Sequence, residues 1–346
     1  MTTERELELE TPDGEWLALT LPDGRLNPEA VGWCRQPLRD TRLDPRPGVR
    51  SKAGRWGRTK RWEYWGVITP DHVVTITVSS LEYAAVHQVW VLDRRTGAEI
   101  DQPALVPLAG AVELPATLGE GSAHARTRQL DIAIDETPAG TRLRARTERV
   151  QVDLVAQRPD GHECLAVVVP WSPTRFQYTV KDVARPVRGR LSVDGRTHDV
   201  SALDSWAVLD HGRGRWPYRI TWNWGAGSGR VDGEVVGLQV GGRWTVGTGS
   251  TENALLVDGR LHKISEELAW QYDIDHPRGL WRVSGERVQA TLRPWHVRTA
   301  RTNAVLVASQ TVQAFGDWAG WALDDTGRRV RLDGLVGWAE EARQRW

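Results

Sequence analysis

The chain has little that would staple it, thread it through a membrane or draw it to a polyanion. Among 346 residues there are two cysteines, Cys34 and Cys164. They lie far apart and in no CxxC pair, so neither a disulfide framework nor a zinc knuckle is indicated. No stretch approaches the roughly eighteen apolar residues of a membrane helix. The opening "MTTERELELETPDGEWL" lacks the apolar segment of a signal peptide, and a soluble, cytoplasmic protein is expected. Neither charge dominates: 45 basic residues face 45 acidic ones. Without a long-range field, nucleic acid is not an expected partner. The exception is Arg42 to Arg61, where eight basic residues meet one aspartate. This run reads as a solvated loop or as a weak contact with a membrane surface. Walker A, GxSxG and GxGxxG signatures are missing, and "YDIDHP" has no metal-ligand spacing. Neither a cofactor nor a metal is expected.

Phenylalanine and methionine are nearly missing too, at two and one, against 19 tryptophans and 34 glycines. An indole N–H wants a partner when buried, so a chain rich in tryptophan has half-wet walls, pockets or stacking platforms. The competing explanation is that tryptophan stands in for phenylalanine in β-strands. The runs "HVVTITVSS", "AVHQVWVLD", "TRLRARTERVQVDLVAQ", "HECLAVVVPW" and "EVVGLQVGGRWTVGTG" alternate and are β-branched, which predicts strands. "PDG" at Pro159, "GG" at Gly241 and "DG" at Asp258 predict tight turns. Helical patterning is confined to "WAEEARQRW", Trp338 to Trp346, and a short stretch at Ala123 to Gln129. The fold class is all-β with a short C-terminal helix.

"LDHGRGRWPYRITWNWGAG", Leu209 to Gly227, concentrates more polar and aromatic chemistry than a core strand needs. Part of it, "GRWPYRITWNWG", aligns with "GRWGRTKRWEYWG" at Gly54 to Gly66 with one gap. A duplicated β-unit follows, with halves at 1–188 and 189–346. If Tyr218 to Trp224 is a strand, Tyr218, Ile220, Trp222 and Trp224 share one face, and Arg219, Thr221 and Asn223 the other. The sequence does not say which face lines a pocket.

"LNPEAVGWCRQPL", "KRWEYWGVI", "DHGRGRWPYRITWNWGAG", "STENALLVDGRLHKI" and "DGLVGWAEEARQRW" resemble, in order, a bacterial family catalogued as domain of unknown function 2804. More distantly, Trp206 with Asp210-His211, then Trp222-Asn223-Trp224, is similar to the W…DH and GWDWF pattern of the carotenoid 1,2-hydratase and AttH-like group. That resemblance implies two lipocalin-like antiparallel barrel units packed together around a long apolar substrate. It also implies proton-transfer chemistry. Gly212 departs from the acid or amide expected after the histidine, and Asn223 departs from the acid of GWDWF.

Asp210, with His211 to orient it, is the candidate catalytic acid. Walled by indoles, its carboxyl would protonate an alkene, and tryptophan faces would stabilise the cation. Alternatively Asp210 pairs with Arg213 or Arg215 and pins a loop. Trp62, Trp65, Trp216, Tyr218, Trp222, Asn223 and Trp224 are candidate ligand-binding residues, together with Arg213. Glu63, Glu252 and Asn253 offer a second carboxylate or an orienting amide, or are plain turn and surface residues. His87 is either part of that pocket or a satisfied wall histidine. Three functions stay open: proton transfer on a lipid or isoprenoid (hydration, cyclisation or isomerisation), non-catalytic binding of such a molecule, and carbohydrate recognition or hydrolysis. The sequence is silent on oligomeric state.

Overall fold

The computed structural model describes residues 4–43, 58–107, 110, 112–304 and 307–345, the side chains at 302–304 and 307 excepted. Positions 44–57, most of the basic run, therefore lie outside the described residues. The chain forms two curled antiparallel sheets, of fourteen and ten strands, each a half-barrel.

Both sheets are laid out alike. In the first, Thr59–Ile68 leads a meander through His72–Ser80, Ala84–Asp93 and Glu99–Pro107, and the closing strand Trp206–Arg215 pairs along its other edge. In the second, Arg219–Val231 leads Glu234–Gly242, Ala254–Val257 and Arg260–Lys263, and the closing strand Leu335–Arg345 pairs along its other edge. The tryptophan-rich segments that look alike in sequence thus lead corresponding meanders. The sheets change over between Arg215 and Arg219, whereas position 188 lies inside Arg175–Val193, a strand of the first sheet.

Local chemistry explains most of the turns. Asp258-Gly259 has both residues at positive φ, 46° and 84°, the requirement of a two-residue type I′ hairpin. Asp232-Gly233 repeats it at 51° and 91°. The expected turn at Gly241 is corrected: Gly241 and Gly242 continue the Glu234–Gly242 strand opposite Trp224 and Asn223. Their glycines answer crowding, since a Cβ at Gly241 would overlap Glu252 and one at Gly242 would press on the Trp270 indole.

Neither expected helix forms. Trp338 to Arg345 of "WAEEARQRW" belong to the Leu335–Arg345 strand, hydrogen-bonded to Arg219–Val231 on one edge and Val307–Leu323 on the other, and Trp346 lies outside the described residues. Two ladders outweigh the helix propensity of alanine, glutamate and arginine. Ala123–Arg126 is likewise a strand, beside Asp131–Thr137.

Strand alternation distributes side chains among three cores. Trp65 and Leu209 lie inside the first half-barrel, and Leu238 and Trp281 inside the second. Val208, Trp224 and Trp338 lie in a third core, where the two sheets pack face to face. The candidate site sits in that third space.

Candidate functional site between the two sheets

The Leu209–Gly227 stretch crosses from one sheet to the other and contributes to both walls of the cleft between them. In Trp206–Arg215 the even positions face the cleft and the odd positions face the interior of the first half-barrel. Asp210 and His211 therefore lie on opposite sides of one sheet, and His211 does not orient the carboxyl. Asp210 pairs with neither Arg213 nor Arg215, which point inward with His211.

Asp210 is instead held from three directions. Lys181 on the neighbouring strand places Nζ 2.9 Å from Oδ1. The Thr179 hydroxyl donates to Oδ1 at 3.1 Å, and the Trp62 indole N–H donates to Oδ2 at 3.1 Å. The Lys181 ammonium also lies 3.3 Å from Glu252 Oε2 of the second unit and 4.4 Å from the Trp224 ring centroid. Burial works against that ammonium, but Asp210 and Glu252 outweigh it and raise its pKa.

The closing strand of the second sheet supplies a third carboxyl. Glu340 accepts the Trp222 indole N–H on Oε1 at 2.9 Å and the Gln313 amide on Oε2 at 3.1 Å. Gln313 also donates to the Tyr64 hydroxyl at 3.3 Å, which ties Glu340 to the first sheet. Burial pushes the Glu340 carboxyl up to about 7, against the Trp222 hydrogen bond and the Lys181 charge, with Asp210 adding to the rise. Glu252, bonded by the Trp244 indole N–H, is also raised by burial. One ammonium thus contacts two of the three carboxyl groups, Asp210 and Glu252, and the third, Glu340, keeps its proton toward neutral pH.

Above this polar layer lie five indoles. Trp216, in the crossover between sheets, is stacked on Trp244 with centroids 6.3 Å apart. It meets Trp62, Trp171 and Trp222 edge-on at 5.4, 5.7 and 5.8 Å. Its N–H donates to Gln177 Oε1 at 2.6 Å. Trp62, Trp171 and Trp222 are half-buried, so part of each indole is left uncovered. Gly212 is required here, because a Cβ would overlap the Trp62 ring. That close approach accounts for the departure noted after His211.

The remaining candidates are dispersed. Glu63, Trp65, His87, His211 and Arg213 all face the interior of the first half-barrel. Trp65 is fully buried core. His211 Nε2 accepts from Arg213 Nε at 3.1 Å, and its Nδ1 lies 3.6 Å from Glu63 Oε1. Burial lowers the His211 pKa and, despite Arg213, pushes Glu63 up to about 7. Arg213 otherwise donates to the carbonyls of Pro115 and Ala116, and Arg215 to those of Gly24 and Leu43. These arginines clamp loops. His87 is buried with both ring nitrogens unpartnered among the described residues, so it is not a satisfied wall histidine. Asn223 faces the interior of the second half-barrel and bonds the Tyr272 hydroxyl at 2.9 Å. Asn253 accepts from Gly241 N at 2.7 Å and donates to Glu266 O at 2.8 Å, a structural bridge. Tyr218 precedes the strand and is 39% exposed.

Sequence reasoning missed Lys181, Glu340, Gln313, Trp171 and Trp244. Lys181 did leave a signal, as the lone ammonium inside the apolar strand "FQYTVKDVA". Among the described residues no group of histidine, cysteine and acidic side chains is arranged to hold a metal ion, and no helix is long and apolar enough to cross a membrane.

No curated protein matches the chain. Among solved structures, a putative AttH from Nitrosomonas europaea is similar at 14% identity and a TM-score of 0.50, covering 86% of this chain and 97% of its own. Kievitone hydratase from Nectria haematococca matches at 9% identity and a TM-score of 0.49, covering 84% and 89%. CghA with Sch210972 matches at 11% identity and a TM-score of 0.49, covering 84% and 88%. The AttH likeness shows the shared fold, two lipocalin-like half-barrels packed together. Residues 5–346 match the family described as Domain of unknown function (DUF2804), and the protein belongs to that family.

Proposed function

We propose that the cleft between the sheets binds a hydrophobic small molecule, lipid or isoprenoid-like, against the indoles of Trp62, Trp171 and Trp222 and exchanges a proton with it. The observation that carries this reading is Glu340, a buried carboxyl at about 7 in the same layer as Asp210 and Lys181, beneath half-buried indoles. A group poised near the working pH is matched to general acid catalysis. Glu340 gives its proton to a carbon–carbon double bond, whose π pair forms the new C–H bond. Indole faces stabilise the cation that results. Water addition, or loss of a neighbouring proton, then completes hydration, cyclisation or isomerisation. Asp210, held only by donors, has acceptor capacity to steady the cation or receive a proton.

One observation favours a purely binding role: Asp210 is already clamped by Lys181, Thr179 and Trp62, as a structural anchor would be. Two measurements separate the readings. Solvent extraction of the purified protein with mass spectrometry should recover an apolar molecule, and isoprenoid alcohols should quench tryptophan fluorescence. Burial of each CH2 contributes about 0.8 kcal/mol before association costs. Quenching by soluble oligosaccharides alone would overturn the apolar assignment. With a substrate in hand, Glu340→Gln should lower turnover by roughly 100-fold with affinity nearly unchanged. Full turnover in that variant would overturn Glu340 as the acid.

A further inference from the structure

The polar layer of the cleft is built from two facing rows of side chains. On the first wall Lys181, Asp210 and Tyr64 lie in register across three strands. On the second, Trp224, Glu340 and Gln313 do the same. Lys181 and Glu252 stitch the rows together at one end, and at the other the Gln313 amide donates to the Tyr64 hydroxyl at 3.3 Å. The Tyr64 ring meets Trp224 and Trp338 edge-on, with centroids 5.6 and 6.1 Å apart.

The donors around the three carboxyl groups are committed to them. The Trp62 indole and the Thr179 hydroxyl serve Asp210, the Trp222 indole serves Glu340, and the Trp244 indole serves Glu252. The Gln313 amide nitrogen carries two hydrogens, and its two acceptors are Glu340 Oε2 at 3.1 Å and the Tyr64 oxygen. Tyr64 is the exception. Its oxygen accepts from Gln313, but its own O–H has no acceptor among the described residues, Asp210 directly opposite included. Burial raises its pKa, so the phenol keeps that proton through neutral pH. Tyr64 is half-buried where Glu340 is buried, and it is the more open of the two to a molecule in the cleft.

An open donor among aromatic rings is matched by an acceptor on the ligand. A ketone supplies one. Unlike a carboxylate, it brings no further negative charge toward Asp210 and Glu252, and unlike an alcohol it brings no proton that needs an acceptor of its own. Two acceptors on one amide nitrogen stand roughly 5 Å apart, so a carbonyl on Tyr64 brings its neighbouring carbons to Glu340.

We infer that the ligand of the cleft is an apolar α,β-unsaturated ketone whose carbonyl oxygen accepts the Tyr64 O–H while its double bond lies beside Glu340. This rests on the function proposed above. It makes Tyr64 the residue that selects a ketone over a hydrocarbon of the same shape.

Equilibrium dialysis of the full chain against β-ionone, and separately against the hydrocarbon with CH2 in place of its carbonyl, tests the assignment. Tyr64→Phe should weaken β-ionone about fivefold and leave the hydrocarbon unchanged, because one hydrogen bond is lost and the aromatic wall is kept. The infrared carbonyl band of bound β-ionone should lie at lower frequency than in hexane, and should move back in the variant. Should Tyr64→Phe fail to fold, the wild-type band decides alone. A band at the hexane frequency overturns the inference, as does a variant that changes both affinities alike or neither, and in those cases binding of the hydrocarbon still upholds an apolar cleft. Binding of neither ligand withdraws the apolar reading of the cleft and this inference with it.

Discussion

Lys181 Nζ stands 2.9 Å from Asp210 Oδ1, and the same ammonium lies 3.3 Å from Glu252 Oε2. Asp210 belongs to the first sheet and Glu252 to the second unit, so one buried cation joins the two walls of the cleft. Lys181→Met should therefore do more than remove a contact, because it leaves half-buried Asp210 and buried Glu252 without the cation between them. A loss of about 3–5 kcal/mol is expected from urea unfolding. Adding Asp210→Asn and Glu252→Gln to that variant should restore much of it, since the uncompensated charge has gone. If Lys181→Met unfolds at the wild-type urea concentration, the bridge does not hold the units together.

His211 gives the opposite expectation. It lies inside the first half-barrel, bonded to Arg213 and across the sheet from Asp210. His211→Ala should lower the melting temperature by opening a cavity beside Glu63, yet leave quenching of tryptophan fluorescence by apolar ligands unchanged. Reduced affinity with unchanged stability would place the histidine in the ligand site after all.

Alternation made the first half of this geometry legible. The strands His72–Ser80 and Glu234–Gly242 could be read from β-branched runs, and the Asp258-Gly259 hairpin from its dipeptide. Period-two patterning also separates Asp210 from His211, once the run is known to be a strand. It cannot say which neighbour a face meets: Lys181 reaches Asp210 from the adjacent strand, and Glu252 meets that lysine from the segment just before Ala254–Val257. Glu340 was hidden for a different reason: "WAEEARQRW" consists of good helix formers, and only pairing on both edges turns it into a strand facing the cleft. The duplicated tryptophan motif, by contrast, did mark the leading strand of each meander.

The Glu340 carboxyl makes a prediction about pH. Its ordinary value of 4.5 rises to about 7 in the folded protein. Between those values the folded chain binds a proton that the unfolded chain has released, so this group's contribution to stability falls as pH rises. At about 1.4 kcal/mol per unit the change is roughly 3 kcal/mol across the window. Glu340→Gln cannot ionise and removes that slope. Unfolding free energies at pH 5, 6, 7 and 8 should show the variant gaining on wild type up to about pH 7 and then running parallel. Curves parallel throughout would mean that Glu340 is charged in the fold.

His87 acts in the opposite direction over part of the same range. Burial lowers its pKa from 6.5 to about 4, so the unfolded chain binds the proton first and stability rises with pH between those values. His87→Phe should therefore flatten the acid side of the stability profile while leaving the profile above pH 7 unchanged. An unaltered acid limb would show that the imidazole has found a partner or a water.

Gly212 offers a test of the cleft that leaves its chemical groups in place. A Cβ at this position would overlap the Trp62 indole, which packs on the glycine and donates to Asp210 Oδ2 at 3.1 Å. Gly212→Ala should push that ring outward, break its hydrogen bond and disturb its edge contact with Trp216. Because Trp62 is half-buried at the mouth, the displaced indole has solvent to move into, and the stability loss should stay near 1–3 kcal/mol. Apolar ligand affinity should fall by about tenfold or more, because Trp62 is one of the walls. Trp62→Phe separates the two effects: it keeps an aromatic wall, removes the N–H, and leaves room beside residue 212. If Trp62→Phe binds normally and Gly212→Ala does not, the shape of the wall matters for binding and the N–H to Asp210 does not. Normal affinity in both variants would place the apolar ligand outside the cleft and withdraw the function proposed for it.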